Sequence, residues 1–451
     1  MNSFDVFDTL LARRYFTSDP IWHHLAKEFN IPDFVQNRKA ADTGGRSYEE
    51  IYDVIVANGT IRADQRNEIA RRELELEIET SFPIQKNIDR VQDGDILISD
   101  MYLHGSAILQ FVRSIGLTRQ VTIYQSNGDK SNGSIWKRIQ HNKPNIHLGD
   151  HSNSDVGQAL ANNINGELFP GTHFNAYEAD LFEHGLKNIA TLAREARLRS
   201  GRAINEIFSD LSASLNLPFL FIAAELLYRK HAGRPILFLG RDCQLLHKIY
   251  TEYYELSYYI PFSRRAAYTD PATAIAYLRK HSPVNGVLVD ISSTGGTWAQ
   301  LEPIDVTVLI HSDTSYYTKE KPIPPDSFTS ITSNSTIGET NLVLEIFNCG
   351  DHGHLNKVTQ ITDGMFQSYF GEPELNKDIV DAIHSPVYNA IKLSSIYKDA
   401  IRSELDDLTA DQLVEFFKYC TSSLCARTDL YNLLDDFVNQ ETTYLDQFTN
   451  E

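Results

Sequence analysis

The sequence predicts an α/β protein with two α/β domains, the first interrupted by a helical insertion and the second extended by helices. Short runs rich in Val, Ile, Leu and Phe alternate with stretches of helical period, once up to about residue 165 and again from Arg234 onward. Asp5, Ser99, Lys130, Asp150 and Asp290 stand at or just behind such runs. Polar groups at the carboxyl ends of strands are where open parallel sheets gather ligands. The chain has 451 residues, 42% of them hydrophobic, and at about 150 residues per domain it can bury roughly three cores.

Taken in order, Ser3 to Phe7, Asp95 to Ile98, Val121 to Gln125 and Asn145 to Leu148 are expected strands. Between the first two lies Ser18 to Phe82, with helical periodicity over Ile21 to Phe29, Tyr48 to Ala57 and Ala63 to Glu79, stopped by Pro83. This is an inserted helical subdomain. Residues 166–235 are expected to be mostly helical, over Tyr177 to Arg199 and Ile204 to Tyr228, as a linker or hood. The second α/β domain, 236–375, opens with a strand at Pro235 to Leu239 and a helix at Gln244 to Tyr254. Strands at Tyr258 to Phe262, Gly286 to Val289 and Asp305 to Ile310 follow. Lys321 to Pro325 is expected to be a surface loop, and 376–451 a helical region.

The composition excludes several function classes. Lys and Arg number 41 against 60 Asp and Glu, a formal charge of −19, so passive attraction to nucleic acid or anionic lipid is not expected and any phosphate site must be built locally. Cys243, Cys349, Cys420 and Cys425 lack the spacing of a zinc knuckle or a disulfide framework. No secretion leader is expected, because no basic stretch followed by a long apolar one opens the sequence. The apolar run Leu215 to Leu227 contains Asn216, Pro218 and Glu225, and no transmembrane segment is expected.

Asp5, at the end of the opening strand, is a candidate nucleophile or metal ligand. Ser99 follows Ile96-Leu97-Ile98, Lys130 follows the strand that ends near Ser126, and Gly149-Asp150 with Asp155 follows Ile146-His147-Leu148. Phosphoryl transfer to a carboxylate needs such a set: a nucleophile, a hydroxyl and an ammonium to hold phosphate oxygens, and further carboxylates to hold a cation. Singly, each has a plainer role as a helix cap or an exposed polar group. In this order and spacing they resemble the four motifs of the haloacid dehalogenase (HAD) superfamily, over residues 1 to about 165.

That resemblance implies a Rossmann-like fold with a helical cap at about 15–90. It makes Asp5 the phosphoryl-accepting nucleophile, with Ser99 and Lys130 stabilising the transferring group. It also implies a Mg²⁺ site formed by Asp5, the backbone carbonyl of Phe7, Asp150 and Asp155. The acid that this superfamily usually carries two residues after the nucleophile is Phe7 here, and Asp8 stands one position further on. Along a strand, residues 7 and 8 point to different sides, so Asp8 can act as the acid if the turn after Phe7 swings it inward, and otherwise caps the loop.

In the second domain, Val287-Leu288-Val289 leads through Asp290 into Ser292-Ser293-Thr294-Gly295-Gly296-Thr297. A small-residue turn before a helix exposes backbone N–H groups suited to a phosphate monoester, and an acid before it can accept from ribose hydroxyls. The segment resembles the phosphoribosyl-pyrophosphate (PRPP) loop of type I phosphoribosyltransferases, with Ile291 in place of one of that family's two adjacent acids. The resemblance implies PRPP binding by Asp290, Thr294, Gly295, Gly296 and Thr297, and a pyrophosphate loop at Gly240-Arg241-Asp242. Arg241, Arg264 and Arg265 can donate paired hydrogen bonds to a diphosphate, or form surface salt bridges. Glu345 and Asp242 are candidate bases for an acceptor hydroxyl. His352 and His354 fit a metal site or an exposed loop.

Together the two resemblances imply a bifunctional enzyme similar to those of bacterial surface-polysaccharide (O-antigen) assembly. One domain transfers 5-phosphoribosyl from PRPP to a glycan acceptor, which is lipid-linked in such systems, and the other removes the 5-phosphate to leave ribofuranose. Mg²⁺ is the expected cofactor, nucleic acid is not an expected partner, and the expected location is the bacterial cytoplasm, with peripheral contact at the inner face of the membrane left open. Two alternatives are a HAD phosphatase with a non-catalytic binding module and a PRPP-sensing regulatory scaffold.

Overall fold

The computed structural model describes residues 1–43, 45–126, 128–201, 206–293, 305–311, 327–333, 342–373, 375–427 and 429–430. The chain divides into two compact units, Met1–Asn175 with Leu198–Arg202, and Ala176–Arg197 with Ala203–Glu451.

In the first unit, β1 (Ser3–Asp5), β4 (Ile96–Ser99), β5 (Thr122–Gln125), β6 (Ile146–Gly149) and β7 (Asn165–Leu168) form one sheet in the order β5-β4-β1-β6-β7. Every pairing is parallel, with Phe4 opposite both Leu97 and Leu148. Counted along the chain this is the 3-2-1-4-5 order of Rossmann-like sheets, in which the winding reverses at the first strand and opens a crevice at its carboxyl end. Parallel strands are buried on both faces. Leu97 joins the larger core with Phe4, while Ile96 and Ile98 face Ile135, Trp136 and Ile139 on the other side.

A small antiparallel pair, β2 (Leu11–Arg13) with β3 (Ser81–Pro83), brackets the insertion, which carries helices at Asp19–Glu28, Phe34–Ala41, Tyr48–Ala57 and Arg66–Thr80. The third of these is the clearest in sequence. Ser47 and Glu50 form a reciprocal capping box, and Tyr48, Ile51, Tyr52 and Ile55 make the buried stripe. At the centre of the insertion Glu73 is buried and paired with Arg38 at 2.9 Å. It also accepts from Tyr52 Oη at 2.5 Å and Trp22 Nε1 at 3.3 Å, so neither charge is left without donors or acceptors in the core.

The second unit has a sheet of β8 (Ile236–Leu239), β9 (Tyr258–Ile260), β10 (Val287–Ser293), β11 (Val306–His311) and β12 (Phe328–Ser333) in the order β12-β11-β10-β8-β9. All pairs are parallel. This is the 2-1-3-4-5 doubly wound order, whose reversal point lies between β8 and β10. A hairpin of β13 (Leu355–Thr362) and β14 (Met365–Phe370) follows, then helices at Lys377–Lys392, Ser394–Asp406 and Ala410–Cys425.

The stretch 166–235 differs from the expected linker. It begins inside β7, and from Ala176 it belongs largely to the second unit. The helix expected over Tyr177 to Arg199 is broken at Gly185, whose φ of +104° no helix accommodates. Glu206–Lys230 is long and apolar enough to cross a membrane, but 89% of its apolar window is buried inside the protein. The Lys321 to Pro325 loop and residues 431–451 lie outside the described residues.

Candidate functional site

Asp5 ends β1 at the reversal point of the first sheet, and Asp150 follows β6 directly. Lys130 enters from a short helix at Asp129–Asn132, and Asp155 from a single irregular turn at Ser152–Gly157. Residues 125 positions apart in sequence thus meet: Lys130 Nζ donates to Asp5 Oδ1, and to Asp155 Oδ1 at 2.8 Å. Carboxylate oxygens of Asp5, Asp150 and Asp155 all lie within 4.8 Å of one another. Such a donor set of hard oxygens fits a hard divalent cation better than a soft one.

Electrostatics follow from this crowding. Burial pushes the Asp5 carboxyl up to about 7, reinforced by Asp155 and Asp150 and opposed by Lys130. Burial acts against the Lys130 ammonium, yet the charges of Asp5 and Asp155 hold it above its ordinary range. Asp155 is also buried, but the hydrogen bond from His147 and the charge of Lys130 hold it below the usual carboxylate range. Asp150 is raised by desolvation and by the charges of Asp155 and Asp8.

Asp8 follows Phe7 in the turn after the first strand. It adopts φ of +60°, a left-handed conformation that Asp tolerates better than most residues. Its backbone N–H donates to Leu11 O at 2.7 Å, and Thr172 Oγ1 donates to its carbonyl. Its charge adds to the raising of Asp150 by desolvation and by Asp155, and Glu77 and Asp8 together hold Arg13 up against burial. The Phe7 ring packs 5.6 Å from Phe111 and 4.9 Å from the Arg13 guanidinium, so Phe7 can offer a cation only its backbone carbonyl.

Ser99 is buried at the end of β4, where its hydroxyl accepts from Met101 N–H at 3.3 Å. Sequence reasoning passed over three neighbours. Asp100 Oδ1 accepts from Ser126 Oγ and from the N–H groups of Gly128 and Lys130 at 3.2 and 3.4 Å, fixing the turn that carries Lys130. His147 touches Asp155 from within β6. Gly149 leaves the space that Asp155 fills: a Cβ there would stand 2.3 Å from Asp155 Cγ. An acid after Ser99 and an imidazole two residues before Gly149 were visible in the sequence, but nothing local says where they point.

At the reversal point of the second sheet, Gly240 has φ of +78°, and Arg241–Cys243 form a short turn tied to β10 by the Cys243 thiol, 3.5 Å from Val289 O. Oxygen or sulfur atoms of Asp242, Cys243 and Asp290 lie within 4.8 Å of one another. Burial raises Asp290 far above the carboxylate range, Asp242 and Glu345 add to this, and Arg264 offsets it in part. Asp242 and Asp290 are therefore brought together, and the charges of Glu345 and Arg264 act on Asp290. Arg265 Nη1 donates to Asn356 Oδ1 at 3.1 Å. Ser263 caps the helix Arg264–Thr269 that carries Arg265. His352 accepts from or donates to Tyr259 Oη at 2.7 Å, within the loop that Gln244 and Asp351 hold against the turn. Thr294, Gly295, Gly296 and Thr297 lie outside the described residues. No protein-family model matches this chain, and no curated protein matches it significantly.

Proposed function

We propose that the first unit is a Mg²⁺-dependent phosphatase of the HAD type and that the second is a phosphoribosyl transferase of the type I kind, so that together they deliver a ribofuranosyl residue to a glycan. The observation that carries the reading is the convergence of Asp5, Lys130, Asp150 and Asp155 at one strand-end crevice. An Asp5 oxygen attacks phosphorus while the ester oxygen leaves with a proton from Asp8. Water then opens the aspartyl phosphate, giving its proton back to Asp8. Lys130 and Ser99 hold the oxygens of the transferring group. Mg²⁺ held by Asp5, Asp150, Asp155 and the Phe7 carbonyl supplies positive charge that favours ionised Asp5 and offsets charge on the phosphoryl oxygens.

For the second unit the support is the juxtaposition of Asp242 and Asp290 at the reversal point, with the charges of Glu345 and Arg264 felt at Asp290. An acceptor hydroxyl forms a bond to C1 of the ribosyl group as the C1–O bond to diphosphate breaks, and Glu345 or Asp242 takes the hydroxyl proton. Arg241 and Arg264 bind the diphosphate. The donor is PRPP, the acceptor a lipid-linked glycan, and the setting the cytoplasmic face of a bacterial membrane.

The test incubates the purified chain with PRPP, Mg²⁺ and a panel of glycan acceptors, reading diphosphate and orthophosphate separately. The expected result is acceptor-dependent diphosphate release followed by orthophosphate release that Asp5→Asn abolishes. Orthophosphate from monoesters without a transfer product would reduce the second unit to a binding module, and no release of either would refute both activities.

A further inference from the structure

We infer that His147 is a positioning residue that sets the orientation of the Asp155 carboxylate toward the bound cation, an inference that rests on the phosphatase reading of this site.

His147 lies in β6 and is completely buried. Its ring is fixed on three sides. Trp136 meets it edge to face with centroids 4.7 Å apart. Ser3 Oγ lies 3.0 Å from Nδ1, and Asp155 Oδ1 lies 3.3 Å from Nε2. A carboxylate oxygen can only accept, so Nε2 carries the proton in this contact. Ser3 belongs to β1 and stands directly opposite His147 in the parallel register. The strand that bears the nucleophile therefore also braces the imidazole.

The consequence falls on Asp155. Oδ1 accepts from Lys130 Nζ at 2.8 Å as well as from His147, and Oδ2 accepts from the His151 N–H at 3.0 Å. Three donors fix the plane of the carboxylate, one oxygen of which lies within 4.8 Å of carboxylate oxygens of Asp5 and Asp150. Without His147, Oδ1 depends on Lys130, which is also bonded to Asp5, so Asp155 and the nucleophile would compete for one ammonium. Groups that hydrogen-bond a metal ligand from behind typically govern about 10- to 100-fold in metal affinity or activity.

The experiment compares the full-length wild type with His147→Phe, which keeps the ring and its packing on Trp136, and His147→Gln, which keeps a donor at the position of Nε2. Mn²⁺ and Mg²⁺ binding are measured by calorimetry, and kcat and KM for a phosphate monoester are measured separately. The expected result for His147→Phe is binding weaker by about 10- to 100-fold and a fall in kcat with KM little changed, while His147→Gln recovers most of both. Wild-type-like binding and kcat in His147→Phe overturn the inference, as does an equal loss in His147→Gln. A wild type that binds no divalent cation and hydrolyses no monoester overturns the phosphatase reading itself, and this inference with it.

Discussion

Replacing Lys130 by methionine removes the ammonium shared by Asp5 and Asp155 while keeping most of its apolar volume. The side chains involved are 4%, 9% and 2% exposed, so water cannot take over the lost contacts. Removing one partner of a buried ion pair costs about 3–5 kcal/mol, because the remaining charge is left uncompensated. Here Asp155 keeps His147 and the His151 N–H, and the deficit falls mainly on Asp5, already pushed up to about 7 by burial. At about 2–4 °C per kcal/mol for a unit of this size, the first-unit transition should drop by roughly 6–20 °C. The assay is scanning calorimetry at about pH 9 in EDTA, where Asp5 is ionised in the wild type, on wild type, Lys130→Met, Asp5→Asn and the double variant. In the double variant the uncompensated charge is gone, so most of the loss should be recovered. A Lys130→Met transition within about 2 °C of wild type, or a double variant as unstable as Lys130→Met, would refute the electrostatic account of the cluster.

Four further outcomes are expected. Asp8→Asn should lower kcat by about 10²–10⁴ on alkyl phosphates and much less on p-nitrophenyl phosphate, whose leaving group needs no proton, as a steady-state comparison will show. Gly149→Ala should displace Asp155, since its Cβ would stand 2.3 Å from Asp155 Cγ, costing about 1–3 kcal/mol in denaturant melts and weakening divalent-cation binding. His231, whose Nε2 lies 2.9 Å from Thr307 Oγ1, is pushed down to about 4 by burial and by Lys230 and Arg234. A depressed imidazole stays neutral in the fold and charges on unfolding, so it costs stability as pH falls from about 6.5 toward 4. His231→Gln should flatten that part of the stability curve by no more than about 3 kcal/mol, measured by urea melts across the interval. Asp290→Asn should abolish acceptor-dependent diphosphate release while orthophosphate release from a monoester continues, read in the two-product assay.

Much of this architecture was legible in the chain because it depends on local pattern. The apolar run Ile96-Leu97-Ile98 has to be a strand buried on both faces, and Ser47 with Glu50 has to start a helix whose stripe is Tyr48, Ile51, Tyr52 and Ile55. The order Asp5, Ser99, Lys130, Asp150, each behind a strand, already pointed to one end of a sheet. The short strands β2, β3 and β7 and the β13–β14 hairpin escaped, since β2, β3 and β7 have only three or four residues and exposed pairs such as Lys357 with Tyr369 leave little hydrophobic alternation.

What the sequence determined alone was which residue types stand at strand ends and in what succession. The tertiary structure decided which of them touch. Strand order comes from crossovers that bring Lys130 onto Asp5 across 125 positions, and no local propensity encodes that pairing. It decided equally that Asp8 takes a left-handed backbone, that Arg265 bonds to Asn356, and that His147, by sequence an ordinary strand residue, contacts Asp155. Side-chain direction at such points is set by long-range packing, and packing exists only once the sheet has closed.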